Sequence, residues 1–304
     1  MHTTAEDVQA DDDVPEVQSI DGRSANRRDF LARAFAGAAV AVAGPTTAQA
    51  QGRRKRISKA EAVAGERASG GLANAVTAPA EWGDATKRLV RRATLGLRSA
   101  DVSAAKAQGY QVWLQSQLDY QRIDSAALDA QVATLWPILS QDVNSLFSLQ
   151  QGLVQNSLQS AWIHRAALSP RQLYERMVEF WTDHFNIGIA KVDYLKVVDD
   201  RDVIRKHALG KFSELLKASA KSPAMLAYLD QTVSRVGAPN QNYARELLEL
   251  HTVGVDNGYT QDDVAEMSRV LTGWTIQGRG TFVFNSALHD WGQKVVMGVT
   301  IAAG

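Results

Sequence analysis

The chain has no cysteine. That absence excludes disulfides, thiolate-bound zinc and iron–sulfur centres, covalent c-type haem, a cysteine nucleophile and a lipoprotein cysteine. Net charge is absent too, since 33 Lys and Arg balance 33 Asp and Glu. The balance is uneven along the chain. Residues 1–50 hold four Arg (Arg23, Arg27, Arg28, Arg33) against eight acids, which leaves 33 − 4 = 29 basic and 33 − 8 = 25 acidic residues beyond them. An excess of +4 over that length is too small to argue for a nucleic-acid partner, and much of it is local, in Arg53-Arg54-Lys55-Arg56. Signature motifs are missing as well. Without GxGxxG, Walker A, GxSxG, HExxH or an EF-hand loop, nucleotide, serine-hydrolase, zincin and standard calcium chemistry have nothing to stand on. What is present is 45% hydrophobic and 22% charged residues over 304 positions, with a mean hydropathy of −0.22. That is the composition of a soluble globular protein of one large or two ordinary domains.

The N-terminus reads as an address. Asn26-Arg27-Arg28-Asp29-Phe30-Leu31 precedes an Ala/Gly/Val run at 34–43, then Gly44-Pro45 and Ala48-Gln49-Ala50. The run is shorter than the ~20 residues a bilayer span needs, and it has no polar face at helical spacing, as a cytoplasmic amphipathic helix would. The pattern resembles a twin-arginine signal peptide over 1–50, cleaved after Ala50. The basic residues at 53–56 resist the general secretory route under the positive-inside bias. The expectation is a periplasmic or secreted protein, carried by the twin-arginine translocase, with no membrane span after cleavage.

Residues 51–80 are rich in Gly, Ala, Ser and charge, without periodicity, and read as a flexible linker. From 81 to 304 the expected class is mainly α, a multi-helix globular domain with a small β-hairpin near the C-terminus. Amphipathic segments are expected at 82–95, from Ser99, and at 110–118. Ser169-Pro170 opens a helix to about His184, and Ser222-Pro223 repeats the device. Asp199 or Asp200 is expected to cap a helix ended by Gly210, and Thr260 with Asp263 to form a capping box for a helix to Thr272. Residues 281–284 and 294–300 suggest strand, paired as one hairpin. The apolar run at the end of the sequence suggests a domain incomplete at its C-terminus.

Five segments carry a family resemblance: residues 88–96 (Arg-Leu-Val-Arg-Arg-Ala-Thr-Leu-Gly), 175–186 around Glu175 and His184, 201–210 from Arg201 to Gly210, 242–252 around Glu246 and His251, and 271–274 (Leu-Thr-Gly-Trp). In this order they resemble bacterial domain of unknown function 1800. The resemblance implies an exported protein without an assigned reaction, encoded beside a second exported family, domain of unknown function 1501, as partner. Similar proteins carry Glu where this chain has Gln241, which removes one carboxylate, and they continue well beyond His289-Asp290.

Candidate chemistry lies within those segments. At 100° per residue, Leu173, Met177, Phe180 and His184 share one stripe, so His184 is either a core histidine or a ligand in a dry shell. His207 leans toward a helix interface, in a last turn where it would face the negative helix end. On the next motif, Tyr243, Leu247 and Leu250 face the core, Asn242, Glu246 and Glu249 line one edge, and His251 lies away from that edge. Carboxylates at i,i+3 suit a divalent metal ion; the alternative is a solvated edge with Arg245 pairing Glu249. Glu179 or Asp183 with His184 could complete the set. The candidate metal ligands are therefore Glu246, Glu249 and His184, and the candidate catalytic residues His184, His251, His289 and Asp290. For Asp290 an Asx-turn is the competing role. Two functions fit: a hydrolytic carboxylate/histidine metal site, or a non-catalytic periplasmic accessory or assembly protein in which these groups stabilise helix packing.

Overall fold

A computed structural model describes residues 84–255 and 257–303; the expected signal peptide and linker lie outside the described residues. Among them thirteen α-helices precede two short hairpins, so the protein is mainly α. The first three, α1 (Ala85–Ala93), α2 (Ser99–Gln108) and α3 (Tyr110–Leu118), bury Val90, Ala105 and Trp113 together. Asp84 caps α1, accepting from the amides of Thr86 and Lys87 at 2.9 and 3.1 Å, and Lys106 of α2 pairs with the same carboxylate at 2.9 Å. Helices α4 (Ala126–Leu135), α5 (Val143–Phe147) and α6 (Gln151–Leu168) follow. They form two small cores, Leu128, Val132 and Ala161 in one, and Leu146 and Val154 with Val197 in the other.

The main core gathers α7 (Gln172–Phe185), α8 (Ile189–Val192), α9 (Leu195–Asp199), α10 (Phe212–Ala220), α11 (Pro223–Tyr228), α12 (Gln241–Glu246) and α13 (Gln261–Val270) around Val178, Ile204, Leu215, Met225, Leu226, Tyr243 and Val264. Each such side chain, fully buried, contributes about 1.5–3 kcal/mol. Two of these helices do not end at their last α-helical residue. They continue as π-helical turns, Asp200–Arg205 after α9 and Leu247–Thr252 after α12. The strands β1 (Trp274–Gln277) and β2 (Thr281–Phe284) pair antiparallel with Trp274 opposite Phe284, and β3 (Lys294–Val296) pairs with β4 (Val299–Ile301). Two glycines are dictated by contact. At Gly273 (φ +81°) a Cβ would lie 2.5 Å from the Asn285 carbonyl oxygen. At Gly280, in the β1–β2 turn, it would lie 2.7 Å from Val143 Cγ2 and 2.9 Å from Leu195 Cδ2, so this tip rests on α5 and α9.

Several expectations meet the structure with a shift. The capping box of Thr260 and Asp263 forms, opening α13. Ser222 sits at the N-cap of α11 with Pro223 next, yet its hydroxyl donates to Asp199 Oδ1 at 2.8 Å instead of accepting from the helix. Asp199 is no cap: it is buried within α9, 3.0 Å from Lys196 Nζ. Ser169 accepts from the Arg171 amide, in a turn that delays α7 to Gln172. The single expected hairpin is two, because Gly278-Arg279-Gly280 returns the chain from an unforeseen strand at 274–277. Finally, the most buried face of α7 carries Gln172, Glu175, Val178 and Phe185, whereas Leu173, Met177 and His184 are half-buried. The helix is central: Leu173 packs on the α1–α3 cluster while Met177 and Trp181 pack on the main core, so apolar residues occur on more than one face.

Candidate functional site

Helix α7 lies against the ends of both π-helical extensions and donates to a carbonyl of each. The Tyr174 hydroxyl reaches the Arg205 carbonyl oxygen at 2.8 Å, Trp181 Nε1 reaches that of Ala208 at 2.9 Å, and His184 Nε2 reaches that of His251 at 3.1 Å. Carbonyls in a last helical turn have no partner in their own helix, so these side chains act as C-terminal caps. Because a carbonyl only accepts, this bond assigns the proton to Nε2 of His184. The His184 ring is enclosed by aromatics, with the Phe185 ring centre at 4.9 Å, Trp181 at 5.4 Å, Phe212 at 6.1 Å and Phe180 at 6.3 Å. Burial raises the Tyr174 phenol to about 12.

The structure brings His184 and His251 together, their ring centres 6.3 Å apart. His251 is 4% exposed and packs on Phe185, which the regular 100° step did not anticipate. In a turn closed by i→i+5 bonds each residue advances by only about 80°. From Leu247 onward that smaller step carries His251 back beneath Tyr243 and leaves Leu250 half-buried. The Val253 amide donates to the Leu248 carbonyl at 2.8 Å, the spacing of such a turn. The same widening sets Glu249 about 100° around the helix from Glu246, against about 60° on a regular helix. Both glutamates are half-buried. Glu249 accepts from the Tyr259 hydroxyl at 3.2 Å, while Arg245 donates to Gln261 Oε1 at 2.6 Å. Glu179 pairs with Arg176, and Asp183 is exposed. Among the described residues no group of three or more His, Asp or Glu is placed to hold a metal ion.

His289 and Asp290 lie elsewhere, after β2. The Nδ1 of His289 donates to the Thr272 carbonyl at 2.7 Å, with the Thr272 hydroxyl 3.2 Å away. Asp290 accepts Arg269 Nε at 2.8 Å and Nη2 at 3.1 Å, and Gly292 N at 2.9 Å, the last closing an Asx-turn. Its carboxyl is held down to about 2, chiefly by the Arg269 hydrogen bonds, which outweigh the opposing effect of partial burial. Arg269 also grips Glu266, whose carboxylate accepts the Val295 amide at 3.1 Å, so this cluster ties β3 to α13. His207 is half-buried near the end of the α9 extension.

Sequence reasoning also passed over a buried ion-pair network. Arg205 Nη2 lies 3.0 Å from Glu175 Oε2 and Arg205 Nε 3.0 Å from Asp200 Oδ2, with side-chain exposures of 12%, 6% and 12%. Residues five apart on a regular α-helix are turned about 140° from each other, so the Asp200–Arg205 pair depends on the π-helical turn. Burial lowers the Arg205 guanidinium, and the carboxylates of Asp200 and Glu175 more than offset it, holding it above its ordinary value.

Fold and site together define a mainly helical domain in which a central helix caps two π-helical turns and is pinned to one of them by a buried ion-pair network. The sequence profile described as Protein of unknown function (DUF1800) matches residues 88–304, and the chain belongs to that family. All five segments that carry the resemblance lie within the match. Neither a curated protein nor a solved structure matches the chain significantly.

Proposed function

We propose that this chain is an exported, non-catalytic accessory or assembly protein whose polar side chains hold the helical domain in shape. One observation carries the reading: polar groups that a reaction centre would need are bonded to the protein itself. His184 Nε2 is given to a backbone carbonyl, Glu249 takes the Tyr259 hydroxyl, and Asp290 takes a bidentate arginine and a backbone amide. The paired arginines at 27 and 28 support delivery by the twin-arginine translocase to the periplasm or beyond. The partner is an exported protein of the domain of unknown function 1501 family. Co-expression of the two exported chains tests this. The expected result is a complex that co-elutes and survives chelator; separate elution together with a stoichiometric metal would reject it.

A second reading has its own support. Two imidazoles meet beside a π-helical turn, a distortion found often at functional sites, and the preceding turn carries Glu246 while the turn itself carries Glu249. On that reading Glu246, Glu249 and His184, which as placed form no metal-holding group, converge on a divalent ion only after a rearrangement, and the bound ion supports hydrolysis with His251 as proton carrier. About one metal per purified chain, lost in Glu246→Gln, would favour it; metal-free protein with an unchanged melting temperature in Glu246→Gln would remove it.

A further inference from the structure

A second feature lies away from the two imidazoles, in a cavity of about 210 Å³ between α4, α6 and the π-helical end of α9. Trp136, Leu139 and Leu158 form apolar wall, and three arginines and two aspartates also line it. Two of the arginines are fully occupied. Arg201 gives Nε and Nη2 to Asp202 and Nη1 to the carbonyls of Leu139 and Gln141. Arg205 gives its three nitrogens to Asp200 and Glu175. Arg165 differs. It is half-buried on α6, it lines the same cavity, and its guanidinium makes no hydrogen bond or ion pair among the described residues. Burial, followed by the charge of Arg205, pulls Arg165 below its ordinary value, so the structure bears the desolvation of this cation without a bonded counter-charge.

We propose that this cavity binds a small organic monocarboxylate, its carboxylate on Arg165 and its carbon body against Trp136, Leu139 and Leu158. The guanidinium fork matches a carboxylate in two parallel hydrogen bonds and gains most where water is excluded. Asp129 and Asp200 line the cavity as well, and their charges oppose a dianion such as phosphate. The volume equals that of about seven waters at roughly 30 Å³ each, below the size of drug-sized pockets, which suits an acid of a few carbons. The exposed lining residues are Asp129, Ala133 and Ser140, which form the outer rim of the cavity. This binding goes beyond the accessory role and requires no catalysis.

The test is calorimetric titration and melting of the purified full chain with isovalerate, its neutral analogue isovaleramide, and inorganic phosphate. Isovalerate is expected to bind and to raise the melting temperature, with the amide and phosphate each weaker by about tenfold or more. Arg165→Gln should lose isovalerate binding by a similar factor while melting, without ligand, no lower than the parent, because it removes a buried charge that has no protein partner. Arg165→Lys, which keeps the charge but not the fork, should bind in between. Equal binding of acid and amide, tighter binding of phosphate, retained binding in Arg165→Gln, or no response to isovalerate up to about 10 mM would each overturn the proposal.

Discussion

Replacing Glu175 by Ala removes one of two carboxylates from a guanidinium that is itself only 12% exposed. Breaking a buried ion pair from one side costs about 3–5 kcal/mol, because the remaining charge is stranded. Here Asp200 still holds Arg205 Nε at 3.0 Å, so the low end, about 3 kcal/mol, applies. For a domain of this size each kcal/mol shifts the melting temperature by about 2–4 °C, which predicts a fall of about 6–12 °C. Arg205→Met alone should cost a comparable amount, because it strands Glu175 and Asp200 together. The double change Glu175→Ala with Arg205→Met removes charge from both sides and should be less damaging than the sum of the single changes by at least about 1 kcal/mol. Calorimetry or urea melts of the four proteins supply the cycle. If Glu175→Ala melts within about 1 kcal/mol of the parent, or if the two effects simply add, the network does not hold α7 to the end of α9 and the reasoning fails.

Asp290 should confer acid sensitivity. Its carboxyl is depressed from 3.8 to about 2 in the folded protein, so the stability it adds is complete above its unfolded value and is lost as pH falls from about 4 toward about 2. Asp290→Asn should flatten that part of the stability–pH curve, and an unchanged curve would count against the Arg269 clamp. Gly273→Ala should destabilise by about 1–3 kcal/mol or more, since it combines a positive φ with a backbone oxygen at 2.5 Å, whereas Gly278→Ala, at φ +61° with open space around it, should cost less; equal melting of the two would contradict this. Arg27→Lys with Arg28→Lys should leave uncleaved precursor in the cytoplasm, and N-terminal sequencing of the exported parent should begin at Gln51. Normal export of the double variant would reject the twin-arginine route.

Local chemistry was legible in the sequence. The Thr260–Asp263 capping box, the helix at 110–118 and the Asx-turn at Asp290 depend on residues within a few positions of each other, and each formed. The two π-helical turns were not legible, because hydrophobic periodicity assumes a constant step, and one wide turn moved His251 from off the apolar stripe into the core. Partners distant in sequence escaped as well. Arg269 meets Asp290 across 21 residues and Arg205 meets Glu175 across 30, separations at which no spacing rule links two charges. The missed strand at 274–277 is different: Gly278-Arg279-Gly280 ahead of a β-branched and aromatic run was a hairpin signal open to view.

The account turns on α7 acting as a cap for the π-helical ends, and amide hydrogen exchange in His184→Phe probes that directly. Phenylalanine keeps the aromatic packing but offers no donor to the His251 carbonyl, whose loss should cost about 1–3 kcal/mol. The predicted result is a drop in protection concentrated in the segment 247–254, with α1–α3 exchanging as in the parent. Unchanged protection across 247–254, in a variant as stable as the parent, would contradict the claim that His184 serves the fold.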